Sequence, residues 1–517
     1  MGQPVHPGGG ALGPGELPVD FRTEKGAGVK RPLVIAGHAS GVGKTTVATG
    51  IMGALRRQGF TVAPFKVGPD YIDPGYHQRA TGVLSRNLDT WLTSPAVVSR
   101  IYARGAAGAD IGVIEGVMGL FDGRAGGRDE GSTAEMARLT GAVVVLVADC
   151  ARLGRSLAPL LTGFDRFDRS IDLAGVILNN VGSPGHARVL RDAAREAGVP
   201  VLGEIPRAEG ITLGSRQLGL VPESELEAAG RKMESIIDHV GRNVDIEAVA
   251  AMAGGAGGGS ARDAGPLKNQ GIPGAQTGSG PDRPAEKMAA EGGSGKAAPG
   301  PNHSGGRCPR IAVARDEAFS FYYADGLEAL EAAGAELVRF SPLRDEGLPA
   351  CEGLYLGGGF PEVFAGQLEA NSAMRRSVAA ALRAGLPAYA ECGGMVYLCR
   401  GVEVNGRRRE MAGVIDSEAR MTGRRQALGY VEARARVSNI LMEAGERVRG
   451  HEFHWSRVKW QEDRLAYDCF SSKRPEVEQD GFCRGNLLAS YVHIHFAGDH
   501  GAAARFVEAC AGSGRAA

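Results

Sequence analysis

Residues 37–46 read GHASGVGKTT, a glycine-rich run that ends in Lys-Thr-Thr. Backbone N–H groups in such a turn can cradle phosphate oxygens, helped by the positive end of a helix that starts there. Lys44 would supply a point charge and Thr45 a hydroxyl for Mg²⁺, with Gly41, Gly43 and Thr46 in the same loop and helix start. The common phosphate loop, GxxxxGK[ST], would put its first glycine at His38; here Gly37 lies one residue earlier, giving Gly-x5-Gly-Lys-Thr. Downstream, FKVGPDYIDPGYHQ (65–78) places Lys66 at a strand end and Asp70 and Asp73 in the turn after it. Those two carboxylates could position Mg²⁺, orient a substrate, or build an Asx turn. In VIEGVMGLFDG (113–123), Glu115 directly follows an apolar strand, the place from which an acid reaches the metal of a phosphate-loop enzyme. Asn180, in LNNVGSPGH (178–186), could read a nucleobase edge or serve its turn.

A second chemistry is written at AYAECGGMVYLC (388–399). Cys392 falls at a strand-to-helix turn and is followed by Gly393 and Gly394. A sharp turn there exposes the thiol, offers backbone N–H groups to an oxyanion, and sets a helix N-terminus that favours thiolate. Cys399 is expected inside the following helix, as core. YLGGGFPE (355–362) is a second strand-end glycine turn suited to an oxyanion loop. In YVHIHF (491–496), His493 and His495 alternate with apolar residues and so share one strand face, which makes both candidate bases. RGHEFHWS (449–456) adds histidines for packing or substrate contact.

These groups need a scaffold that delivers strand ends. LVIAG (33–37), TVAPFKV (61–67), ADIGVIEG (109–116), AVVVLVAD (142–149) and LAGVILNNV (173–181) are near-continuous apolar runs, as in a parallel sheet buried on both faces. A helix is expected over 45–60. The pattern returns in RIAVARD (310–316), GAELVRFSP (334–342), GLYLGGG (353–359), LPAYAECGG (386–394) and LLASYVHIHF (487–496). The fold expected is α/β: two doubly wound, mainly parallel-sheet domains. Their expected bounds are 30–250 and 308–510. Residues 1–29 read as a disordered tail. Residues 251–307 read as a flexible linker, because 254–306 hold 16 Gly and 6 Pro with no Phe, Tyr, Trp or Val.

Composition limits the functions available. Of 517 residues 79 are Gly, too many for linkers alone, so tight turns at strand ends must take a share. The 59 basic and 59 acidic residues balance, which argues against an electrostatic nucleic-acid binder. No apolar run is long enough to cross a bilayer, and the N-terminus lacks a basic start followed by an apolar stretch, so neither a span nor a signal peptide is expected. Eight Cys without a CxxC pair suit a reducing cytoplasm better than a disulfide framework.

The chain resembles the cobyrinic acid a,c-diamide synthases, also met as hydrogenobyrinic acid a,c-diamide synthases. GHASGVGKTT, FKVGPDYIDPGYH, GVMGLFDG, IAVARDEAFSFYY, YLGGGFPE, AYAECGGMVYL, RGHEFHWS and ASYVHIHF carry the resemblance, in order, over nearly all of 31–500. It implies a dethiobiotin-synthetase-like ATP domain, whose group shows the Gly-x5-Gly-Lys-Thr spacing, joined to a class I glutamine amidotransferase domain. It implies ATP and glutamine as co-substrates with Mg²⁺, and amidation of two peripheral carboxylates, c then a, of a small-molecule corrinoid. No nucleic-acid or membrane partner is implied, and a homodimer is left open. By the resemblance Lys44 contacts phosphates, Thr45 and Glu115 hold Mg²⁺, and Lys66, Asp70 and Asp73 handle substrate carboxylate and metal. Cys392 matches the glutaminase nucleophile. The His of a related YLHG motif aligns with His493, and His495 is the alternative. Class I enzymes often carry Glu two residues after that His; here the position is His495, so a Cys–His dyad is implied. Cobyric acid synthases and Ni-sirohydrochlorin a,c-diamide synthases are enzyme rivals. A ParA-like nucleotide switch would need a further Lys early in the loop, and 38–42 has none.

Overall fold

The computed structural model describes residues 31–125, 127, 129–208, 223–253, 308–461, 465–498 and 500–513, with the side chains of 223–229 and 475 left aside. The expected tail over 1–29 and most of the expected linker over 251–307 lie outside the described residues.

Seven parallel strands form the first sheet, in the spatial order Arg86–Leu88, Val62–Val67, Ile111–Glu115, Leu33–Gly37, Val143–Asp149, Asp172–Val181, Val201–Pro206. Leu33–Gly37 is central and entirely buried, as its unbroken apolar run requires of a strand covered on both faces. Val34 and Ala36 face one core with the helices Pro95–Ala106, Thr133–Thr140 and Pro184–Ala197. Leu33 and Ile35 face the other, with Lys44–Arg57 and Glu223–Asn243. The expected helix over 45–60 runs from Lys44 to Arg57 and yields to Gly59 in the left-handed region.

The second domain also centres on a mainly parallel sheet: Glu336–Phe340, Arg310–Ala314, Gly353–Leu356, Ala388–Glu391, Leu487–Ser490 and an antiparallel edge, Phe482–Arg484. The sequence reading missed a two-stranded ribbon, Phe319–Phe321 with Gly358–Gly359, and two larger sheets. One has four strands, Arg407–Glu410, Cys399–Val404, Ile415–Met421 and Ser456–Lys459. The other has five, Arg474–Asp480, Tyr467–Ser471, Ala427–Ala435, Arg447–His454 and His493–Ile494. Cys399 therefore opens a strand instead of lying in a helix, although it is core as expected. The single run expected over 487–496 divides. Leu487–Ser490 stays in the parallel sheet, the Tyr491 N–H donates to Asp480, and His493–Ile494 crosses to pair with Gly450 and His451.

The two domains meet through polar and aromatic contacts. Arg86 donates to Asp325 and Glu328, and Arg104 donates to the same Asp325. Tyr430 Oη donates to Asp89 at 2.8 Å, and its ring packs on Trp91. Trp91, Leu92 and Tyr323 form a small core of their own, with Tyr71 and Tyr430 against it. Among the described residues no helix is long and apolar enough to cross a membrane.

Candidate active site

The first site lies at the carboxyl ends of the central strands, where open α/β sheets leave a crevice. Gly41 and Gly43 have φ of 78° and 91°, so the loop before Lys44–Arg57 uses backbone that side-chain-bearing residues avoid. No side chain caps that helix, which leaves its first N–H groups facing the loop. Lys44 folds back on the loop, Nζ to Ala39 O at 3.3 Å. Burial, with Lys66 adding to it, lowers its pKa to about 8. Thr46 follows on the same helix, half-buried.

Lys66 and Glu115 are directly paired residues of neighbouring parallel strands, so their side chains leave the same face. Lys66 Nζ lies 3.1 Å from Asp73 Oδ2 and 3.3 Å from Glu115 Oε1, and donates to Gly116 O at 2.9 Å. Burial opposes its charge, but Glu115, Asp73 and Asp70 outweigh burial and hold the ammonium above its ordinary range. Thr45 Oγ1 donates to Glu115 Oε1 at 2.6 Å and lies 3.4 Å from Asp73 Oδ2. Burial would push the Glu115 carboxyl up; Lys66 and His77 instead hold it well below the usual range. Asp73 moves the other way, raised by burial and by Glu115 and Asp70.

Asp70 takes a different place. Its Oδ1 accepts from the N–H groups of Ile72 and Asp73 and so caps the helix Asp73–Thr81. Asn180 bonds Asp149 Oδ1 at 2.9 Å, while its neighbour Asn179 donates to Val42 O in the phosphate loop. Asn179 also sits so close to Gly43 that a Cβ there would fall 2.4 Å from its Nδ2. Sequence reasoning missed Asn179 and His77. The signal for His77 was its position four residues after Asp73 on one helix face; its Nε2 lies 2.6 Å from Glu115 Oε2. Thr45, Asp73 and Glu115 thus converge as oxygen-only donors, the kind Mg²⁺ prefers. Among the described residues no group of three or more His, Cys, Asp or Glu side chains could by itself hold a metal.

The second site centres on Cys392, where φ is +46° and ψ −98°, a strained backbone for a residue with a side chain. Its N–H donates to Ser490 O at 2.7 Å, and the Gly393 N–H faces its sulfur. A Cβ on Gly394 would lie 2.2 Å from Leu356 O, and one on Gly393 would lie 2.9 Å from Pro361 Cδ, so both glycines are required for the close approach of GGGFPE. Burial, then Glu362, push the Cys392 thiol up.

His493 is fully buried. Neither ring nitrogen has a hydrogen-bond partner, but Nδ1 lies 3.6 Å from Oε2 of Glu391, the residue just before Cys392. Glu391 also accepts from Tyr355 Oη, Tyr389 Oη and the Ile494 N–H. A carboxylate from another strand thus lies near His493, where the sequence has His495 two residues on. His495 points elsewhere: it stacks on Tyr323 at 4.5 Å, and burial, with His500 adding to it, lowers its pKa to about 3. His454 lines the Cys392 cleft, stacks on Tyr491 at 3.7 Å, and is held neutral mainly by burial, at about 4.

A cavity of about 340 Å³ opens between the domains, with Asp70 and Tyr71 on one side and Tyr430, His451 and Lys473 on the other. Phe321 and Phe453 line both this cavity and the Cys392 cleft. Tyr71 reaches across from between the two aspartates: its ring stacks on Phe321 at 5.0 Å and lies 5.3 Å from His493.

Residues 33–220 match the CobQ/CobB/MinD/ParA nucleotide binding domain, and residues 310–501 match the CobB/CobQ-like glutamine amidotransferase domain. The chain is 45% identical to a hydrogenobyrinate a,c-diamide synthase of Streptomyces coelicolor, over 94% of this chain and 99% of that one. It is 39% identical to a cobyrinate a,c-diamide synthase of Picrophilus torridus, over 92% and 98%. It is 42% identical to a hydrogenobyrinate a,c-diamide synthase of Mycobacterium bovis, over 92% and 97%. The likeness spans both chemistries from end to end, and the chain belongs to the a,c-diamide synthase family of glutamine-dependent carbon–nitrogen ligases.

Proposed function

We propose that this chain converts the a and c carboxylates of cobyrinate or hydrogenobyrinate to amides, using ATP and glutamine, with a synthetase domain over 30–250 and a glutaminase domain over 308–510. The observation that carries the reading is the wall of Phe321 and Phe453, which separates the Cys392 cleft from a cavity that Asp70 and Tyr71 line from the phosphate-loop side. Two half-reactions that share a wall can share a small product.

A carboxylate does not react with ammonia at neutral pH, because oxide is a poor leaving group. Attack of the substrate carboxylate oxygen on the γ-phosphorus of ATP releases ADP and leaves an acyl phosphate. Ammonia then attacks the carbonyl carbon and inorganic phosphate departs. Lys44 and Lys66 spread the charge of the transferring group. Mg²⁺ bound with the nucleotide would sit against Thr45, Asp73 and Glu115 and neutralise phosphate charge. Asp70 shapes the turn by capping the helix that carries Asp73, and Asn179 and Asn180 border the loop on the nucleotide side.

Ammonia is mostly protonated in water at neutral pH, so it is made where it is used. Cys392 Sγ attacks the side-chain amide of glutamine, ammonia leaves, and water hydrolyses the thioester to glutamate. His493 takes the thiol proton and returns it to the leaving nitrogen, oriented by Glu391; His495, stacked away on Tyr323, is the weaker candidate. The setting is a reducing cytoplasm, which keeps the nucleophile a thiol. In this reading the interdomain cavity receives the edge of the macrocycle that bears the a and c carboxylates. A substrate panel tests the reading. With ATP, Mg²⁺ and glutamine, cobyrinate or hydrogenobyrinate yields a diamide; a diamide formed from Ni-sirohydrochlorin alone would replace the reading.

A further inference from the structure

The cleft beside Cys392 carries one acid and no Lys or Arg on its wall. That acid is Glu362, at the end of YLGGGFPE, in the turn whose Pro361 packs against Gly393. Among the described residues its carboxylate makes no ion pair and no hydrogen bond to another residue; its own backbone N–H alone faces it. The two acids beside the reacting groups are matched instead: Glu391 by two tyrosines and an N–H, Glu115 by Thr45, Lys66 and His77. Glu362 is half-buried, so its carboxylate faces the cleft and water with no protein partner to displace when a cation arrives.

We propose that the Glu362 carboxylate receives the α-ammonium of glutamine and is the group that selects glutamine for the Cys392 cleft. The assignment rests on the reading of Cys392 as the glutaminase nucleophile. A charge-assisted hydrogen bond formed out of bulk water discriminates strongly against an analogue that lacks the charged group. The contact has a second consequence. Glu362 is the largest charged contributor to the raised thiol of Cys392, ahead of Glu391 and Asp480, and the cleft offers no cation against it. Tyr491 and the neutral His454 are the other titratable groups at the sulfur's side of the cleft. An arriving ammonium cancels the field of Glu362, so the substrate itself favours the thiolate that attacks it. Burial pushes the empty carboxyl up to about 7, and an ammonium beside it would draw it back to the charged form.

The experiment uses the full-length chain and the variants Glu362→Gln and Glu362→Asp, with ammonia-dependent amidation as the control for folding. Glutaramate, which is glutamine without its α-amino group, is the probe. In the wild type, kcat/KM for glutamine exceeds that for glutaramate by about 10–100-fold. In Glu362→Gln that preference collapses, with the loss carried mainly by KM for glutamine; Glu362→Asp keeps part of it. Alkylation of Cys392 by iodoacetamide, which is neutral, moves in the opposite direction: at fixed pH below the thiol pKa it is faster in Glu362→Gln than in the wild type. If the wild type does not distinguish the two amides, or if Glu362→Gln keeps the full preference, the assignment is overturned. The wild-type comparison decides the matter even if the Gln variant fails to fold. Glutamine-dependent turnover that survives Cys392→Ala would instead overturn the nucleophile, which separates the two failures.

Discussion

The ring of Tyr71 lies 5.3 Å from that of His493, with the planes inclined at 46°. One residue belongs to the turn that carries Asp70 and Asp73, the other to the strand segment beside Glu391. If His493 is the glutaminase base, this aromatic contact links it to the phosphate-side turn. Tyr71→Ala should raise the glutamate released per amide formed by about threefold or more, the scale of a typical coupling between sites. Tyr71→Phe keeps the stack and should keep the ratio near that of the wild type. Parallel assays of glutamate and amide check this; an unchanged ratio in Tyr71→Ala would remove the coupling role.

Cys392→Ala should abolish glutamine-dependent amidation and leave ammonia-dependent amidation within about twofold of the wild type, because removal of a nucleophile does not touch the acyl-phosphate step. Steady-state rates with each nitrogen source give the answer directly.

Lys44→Ala should lower kcat/KM for ATP by about a thousandfold or more with either nitrogen source, as loss of a charge aimed at a transferring phosphoryl group does. The wild type carries a pH signature of the same residue. Its pKa in the free protein is about 8, lowered by burial. Below that pH the ammonium is present to meet phosphate. Above it the free protein loses the charge, so kcat/KM for ATP should fall as pH rises through about 8. A profile flat from pH 7 to beyond 9 would contradict the role given to Lys44.

Gly50 and Gly53 lie on the face of Lys44–Arg57 that packs against Glu223–Asn243. A Cβ on Gly50 would fall 2.5 Å from Val240, and one on Gly53 2.5 Å from Ile237. Alanine is the better helix former by about 1 kcal/mol, but overpacking a close helix pair costs about 1–3 kcal/mol. Gly50→Ala should therefore lower the denaturation midpoint. An exposed glycine with open space, Gly163, gives the control, since Gly163→Ala should raise it.

Much of this was legible in the sequence, for identifiable reasons. Leu33–Gly37 and Val143–Asp149 could be read because strands buried on both faces show as apolar runs closed by glycine or acid. The phosphate loop could be read because its chemistry is local: Gly41, Gly43, Lys44 and Thr45 act within a few residues of one another. What escaped was non-local. The run over 487–496 keeps its alternation while it changes sheets, because its new partners, Gly450 and His451, lie far back in the chain. Nothing near His493 announces Glu391, which comes from another strand. Asn179 and Asn180 look alike in sequence, but Asn180 takes a left-handed backbone at the strand's end and turns to Asp149 while Asn179 turns toward Val42. The strands from Cys399 to Asp480, mostly antiparallel, are partly exposed with mixed polar content, and so carry no clear apolar run.

The central claim is that nitrogen released at Cys392 reaches a carboxylate activated at the phosphate loop without entering solvent. The most direct measurement supplies amide-¹⁵N-glutamine, ATP and Mg²⁺ with the corrinoid, in the presence of unlabelled ammonium at a concentration that by itself supports no measurable amidation, and reads the isotope in the diamide by mass spectrometry. The account predicts ¹⁵N in both new amides. Unlabelled nitrogen in the product, in proportion to the ammonium added, would contradict it.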